Sequence, residues 1–99
     1  MWKTTNQQTQ YVRLFKNKGL NSGATGTFNC PLPDWLEWVY WFYAIPSETQ
    51  SNYPQEIAIE SVKVKVVDHA KFELNITVKN SANVGTCKFD VWAARVLIP

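Results

Sequence analysis

Residues 71–79 alternate without a fault: Phe72, Leu74, Ile76 and Val78 are apolar, and every residue between them is polar. Successive side chains of a strand point to opposite faces, so this segment predicts a strand with one buried and one wet face. Upstream, Ile57 and Ile59 set an odd phase, whereas Val62, Val64 and Val66 set an even one. A one-residue slip turns every side chain over, so a β-bulge or strand break is expected near Glu60-Ser61. Cys87–Ile98 reads as the last long strand, ended by Pro99. Tyr11–Phe15 and Thr27–Cys30 read as short strands around a Gly- and Asn-rich loop at 17–26. Turns are expected at Asp68-His69-Ala70 and over Asn80–Gly85, and a polar loop over Ser47–Pro54. The pattern is that of an all-β antiparallel sandwich of six or seven strands. Residues 1–10 read as an extended polar arm and 11–99 as one sandwich domain.

The run Trp35–Tyr43 breaks this orderly pattern. Six of its nine residues are aromatic and only Glu37 is charged. Prolines on both sides, Pro31-Leu32-Pro33 and Pro46, fix extended backbone there, and aromatic residues favour a strand over a helix. As a central strand it would place Trp35, Val39, Trp41 and Tyr43 on one face and Leu36, Trp38, Tyr40 and Phe42 on the other. One face belongs to the core that Phe72, Leu74, Ile76 and Val78 line. The other needs a cover, because exposed apolar patches usually mark interaction sites. Protein is expected there before sugar. The candidate ligand or interface residues are Trp35, Trp38, Tyr40, Trp41, Tyr43, Tyr53 and Trp92, with Trp2 the aromatic least explained by a core. Trp35, Trp38 and Trp41 are the expected interface hot spots.

Composition narrows the function classes. Ninety-nine residues make one domain, and 45% hydrophobic with 18% charged residues is a globular composition. A formal charge of +2, with the ten Lys and Arg residues scattered, does not suggest nucleic acid. The N-terminus is polar, and no apolar stretch approaches the roughly 20 residues of a membrane helix. No membrane insertion is therefore expected. His69 is the only histidine, the eight acids form no spaced acid/base pair, and Cys30 and Cys87 are too far apart in sequence for a zinc motif. No catalysis, metal or cofactor is expected. Cys30 and Cys87 are either two buried free thiols or a disulfide closing a long loop.

Phe28 followed by Pro31, the run from Val64 to Phe72, and Phe89-Asp90-Val91-Trp92-Ala93 together resemble the H-type lectin domain over residues 28–94. Trp92 matches the Trp that this family carries on its closing strand. The chain departs from the pattern in His69-Ala70-Lys71 and in its more aromatic Tyr40-Trp41-Phe42. The resemblance implies a six-stranded antiparallel sandwich that trimerises and binds sugar on loops near its strand ends. Domains of this kind also occur at phage tail fibre tips. The expected role is a virion or fibre-type module, made in the host cytoplasm, that binds itself, a cell-surface glycan or other virion proteins. The alternatives are a dedicated agglutinin and a purely structural assembly protein.

Overall fold

A computed structural model describes residues 2–6, 8–31, 38–47, 55–68 and 71–97. Seven strands occur among them: β1 (Lys3–Thr4), β2 (Gln10–Asn21), β3 (Thr25–Pro31), β4 (Trp38–Pro46), β5 (Ile57–Asp68), β6 (Lys71–Asn80) and β7 (Thr86–Leu97). One sheet runs β1-β2-β7-β4 and the other β3-β6-β5, and every pairing is antiparallel. The two sheets pack as a β-sandwich.

The fault-free alternation of β6 becomes the floor of the core. Leu74, Ile76 and Val78 are fully buried against Phe89 and Val91 of β7. Phe28 links the layers, with its ring 5.5 Å from Phe15 and 5.7 Å from Phe89. Fully burying each such side chain is worth roughly 1.5–3 kcal/mol, so these few positions dominate the packing. At Gly26, opposite Val78, an added Cβ would come within 3.0 Å of the Leu20 side chain and 3.3 Å of the Phe28 ring, so any side chain there would press both aside by a few tenths of an ångström.

The phase reversal in β5 is a register shift between Ile59 and Ser61, as the alternation predicts. Elsewhere the pattern misled. The loop expected at 17–26 is mostly strand: β2 continues to Asn21 and turns only over Ser22–Ala24. Register shifts between Arg13 and Phe15 and between Phe15 and Lys18 absorb the broken alternation, and the Asn17 N–H is held by the Asp90 carboxylate at 2.7 Å. The described part of the aromatic run, 38–43, is not central either. β4 pairs with β7 along its whole length and forms the edge of its sheet, while β7 takes the central place.

The polar arm folds back. The Thr5 N–H donates to the Thr9 carbonyl at 2.7 Å, and Lys3 and Thr4 pair with Tyr11 and Gln10. This hairpin carries Trp2 onto the core. There the Arg95 guanidinium, only 8% exposed, lies 3.9 Å from the Trp2 ring and 4.0 Å from the Trp38 ring, while its Nε donates to Gln10 Oε1 at 2.8 Å. A desolvated cation–π contact is worth about 2 kcal/mol. Trp2→Ala is accordingly expected to lower stability by about 2–3 kcal/mol in urea unfolding, less than a fully buried Trp because Trp2 is half-buried. A change within about 0.5 kcal/mol, typical of an unimportant surface site, would show the hairpin to be dispensable.

Cys30 and Cys87 are free thiols, so the disulfide alternative does not hold. Cys30 pairs with Leu74, six residues before the end of β6, whereas Cys87 follows the β6–β7 turn. That offset is about 20 Å along the strands at the usual rise per residue, whereas a disulfide needs Cα atoms within about 7 Å. Burial pushes both thiols up from their ordinary pKa, helped at Cys30 by the Glu73 carboxylate. The reactive form is the thiolate, so both are poor nucleophiles at neutral pH.

Candidate aromatic interaction face

The outer faces of the two sheets differ in kind. On the β3-β6-β5 sheet the outward residues include Thr25, Thr27 and Asn29, then Glu73, Asn75, Thr77 and Lys79, then Ser61, Lys63 and Lys65. Thr27 and Thr77 share a hydrogen bond at 3.1 Å, and Lys79 lies 4.0 Å from Glu60. This is an ordinary solvated surface.

The outer face of the β1-β2-β7-β4 sheet is aromatic. Opposed residues in an antiparallel pair share a face, so the registers order it into rows. One row runs Arg13–Trp92–Tyr43, and the next runs Lys3–Tyr11–Ala94–Trp41. Val39 beside Val96 and Ile45 beside Asp90 extend it on either side. Val39 and Trp41 are each 45% exposed, Tyr43 49% and Ile45 50%. Tyr11 leans on Trp92 at 6.2 Å and 41°, and the Arg13 guanidinium sits 5.5 Å from the Trp92 ring centre. Arg13 Nη1 is also 3.5 Å from Asp90 Oδ2, which fixes the direction of the guanidinium.

The alternation therefore divides the aromatic candidates. Trp41, Tyr43 and Trp92 meet on the outer face. Trp38 and Tyr40 turn inward: Trp38 stacks on Arg95, and Tyr40 lies parallel to Phe42 at 6.0 Å and 6.1 Å from Trp2. Trp38 thus packs inside the chain and lies off the outward stripe. Trp35, Tyr53 and His69 lie outside the described residues.

Sequence reasoning missed Tyr11 and Arg13 as members of this face, because only the β2–β7 register brings them to Trp92. It also missed the edge position of β4. Natural edge strands are protected by charges, bulges or internal prolines. β4 carries no charged residue, its register with β7 is unbroken, and its one proline is the last residue.

Among the described residues no three His, Cys, Asp or Glu side chains group as metal ligands, and no helix is long and apolar enough to cross a membrane. No family model matches the chain, and no curated protein or solved structure matches it either.

Proposed function

We propose that this chain is a non-enzymatic β-sandwich module that assembles with further copies of itself and serves in surface attachment, in the virion or fibre setting its resemblance implies. One observation carries the reading: an uncharged edge strand whose outward side chains are Val39, Trp41, Tyr43 and Ile45, all about half exposed, on a molecule whose other outer face is polar. An edge with this composition is a template for pairing with another strand, and a second copy offers an equally uncharged β4.

Two β4 strands meeting antiparallel about a two-fold axis would pair the same side chains in both directions, as an isologous contact requires. Trp41 and Tyr43 are too few to supply the roughly 800 Å² per partner of a standard interface. They would form its centre, with Val96 and the strand backbone around them. The trimer that the resemblance implies would instead turn the outer faces towards a three-fold axis.

Light scattering at micromolar to millimolar concentration tests the reading. Two or three times the chain mass is expected, and the two values separate the geometries. A monomer throughout that range would sink self-assembly. A second reading, attachment to a small ligand, is favoured by the depression beside Trp92.

A further inference from the structure

Beside the aromatic stripe lies a shallow depression of about 280 Å³, lined by Lys3, Tyr11, Val12, Arg13 and Trp92. We infer that it is a binding site for one anionic sugar residue, carboxylated or sulfated. The inference deepens the attachment half of the proposed function and goes with the two-fold contact through β4, which leaves the outer face open.

The volume sets the size of the ligand. Drug-sized ligands occupy clefts of roughly 300–1,000 Å³, so this depression suits a single ring. Its chemistry sets the class. Tyr11 and Trp92 already touch each other, leaving no slot between them for a planar base, but a ring can lie against their solvent side. Aromatic rings of this kind pair an apolar surface with a polar edge, which matches the C–H face and hydroxyl rim of a pyranose.

Lys3 and Arg13 supply the charge. They flank Tyr11 from opposite sides, Lys3 across the β1–β2 pair and Arg13 two residues along β2. Arginine has five N–H donors in a planar fork. The contact with Asp90 at 3.5 Å engages one end of that fork and orients it, and the remaining donors suit an oxyanion in two-point fashion. Two cations beside one carboxylate are too few to follow a nucleic-acid backbone, which needs a groove of cations tracking the phosphates. A neutral sugar would offer the two cations hydroxyl oxygens but no opposite charge.

Titration followed by tryptophan fluorescence tests this, with sialyllactose and a sulfated disaccharide as acidic probes. Lactose is the neutral control, sodium sulfate the bare anion and oligo-dT the nucleic acid. Both or either of the acidic sugars should bind saturably at millimolar concentration or below, at least tenfold more tightly than lactose and sodium sulfate, and less tightly as salt rises. The double variant Lys3→Gln, Arg13→Gln should lose at least tenfold in affinity with its circular dichroism spectrum unchanged. Arg13→Lys should recover part of the loss. Val39→Asn, on the outward face of β4 and outside the depression, is aimed at assembly and should leave sugar affinity within about twofold, so failure of this site and failure of self-association are read separately. Equal binding of lactose, tighter binding of oligo-dT, no saturation by either acidic sugar, or indifference to the double variant would each overturn the assignment.

Discussion

Asn80→Leu is expected to destabilise the chain by about 3–5 kcal/mol, a large fraction of the roughly 5–15 kcal/mol that holds a typical domain together. Asn80 is fully buried at the end of β6 and ties three segments together. Its Nδ2 donates to the Leu20 carbonyl at 2.9 Å and points to the Gly85 carbonyl at 3.5 Å, while its Oδ1 accepts the Ala82 N–H at 3.0 Å. Its backbone N–H and carbonyl also bond the β2–β3 turn, at Ala24 and Gly23. Leucine has the branching and heavy-atom count of asparagine, with bulkier methyl groups in place of the amide, and keeps the backbone bonds. It strands the Leu20 carbonyl and the Ala82 N–H, each costing roughly 1–3 kcal/mol.

Asn80→Asp separates the side-chain network from simple packing. An ionised carboxylate would face the Leu20 carbonyl with no proton to give, whereas the protonated acid could still donate. Its folded-state pKa is then raised above the unfolded value, so the variant keeps its stability at acid pH and loses it as pH rises through the folded pKa. Urea unfolding of both variants at pH 4 and pH 7 checks this. A loss below about 1 kcal/mol for Asn80→Leu would show that water replaces the side chain.

The second large effect is on assembly. Trp41→Lys should leave the sandwich nearly as stable as before, because Trp41 is 45% exposed on the outer face and substitutions at such sites usually stay within about 0.5 kcal/mol. It should nonetheless convert the oligomer to monomer. A tryptophan at the centre of an interface costs about 2 kcal/mol or more when removed. A two-fold contact counts each substitution twice, so association weakens by about 4 kcal/mol, roughly a thousandfold. Lysine is also the residue natural edge strands use against pairing. Sedimentation of the variant beside the wild type gives the answer. An unchanged oligomer would remove Trp41 from the interface, and an unfolded variant would place it in the core.

Much of the architecture was legible in the alternation. The β6 pattern gave its buried face residue by residue, the reversal near Ser61 is a register shift, and the odd and even residues of 38–43 fall on opposite faces of β4. A period of two tells which face a side chain takes, but it does not tell which strands lie side by side. Neighbours are fixed by the β4–β7 and β2–β7 registers, which depend on contacts remote in sequence. That is why β4 read as central and why Tyr11 and Arg13 were not placed beside Trp92.

Arg95 shows a signal that was present but unread. It follows Cys87, Phe89, Val91 and Ala93 in the inward set, so the alternation already put a cation inside. The unexplained Trp2 is one of the two rings that receive it. Asn80 ended a strand in front of a turn, and nothing in its immediate sequence marked it as buried.

The claim that β4 is where a second copy binds is tested most directly by amide hydrogen exchange at protein concentrations below and above the association midpoint. The account predicts that exchange across Val39–Ile45 slows on assembly while β5, the edge of the other sheet, exchanges at the same rate in both. Exchange in β4 that does not change with assembly, or protection that appears at β5 instead, would contradict it.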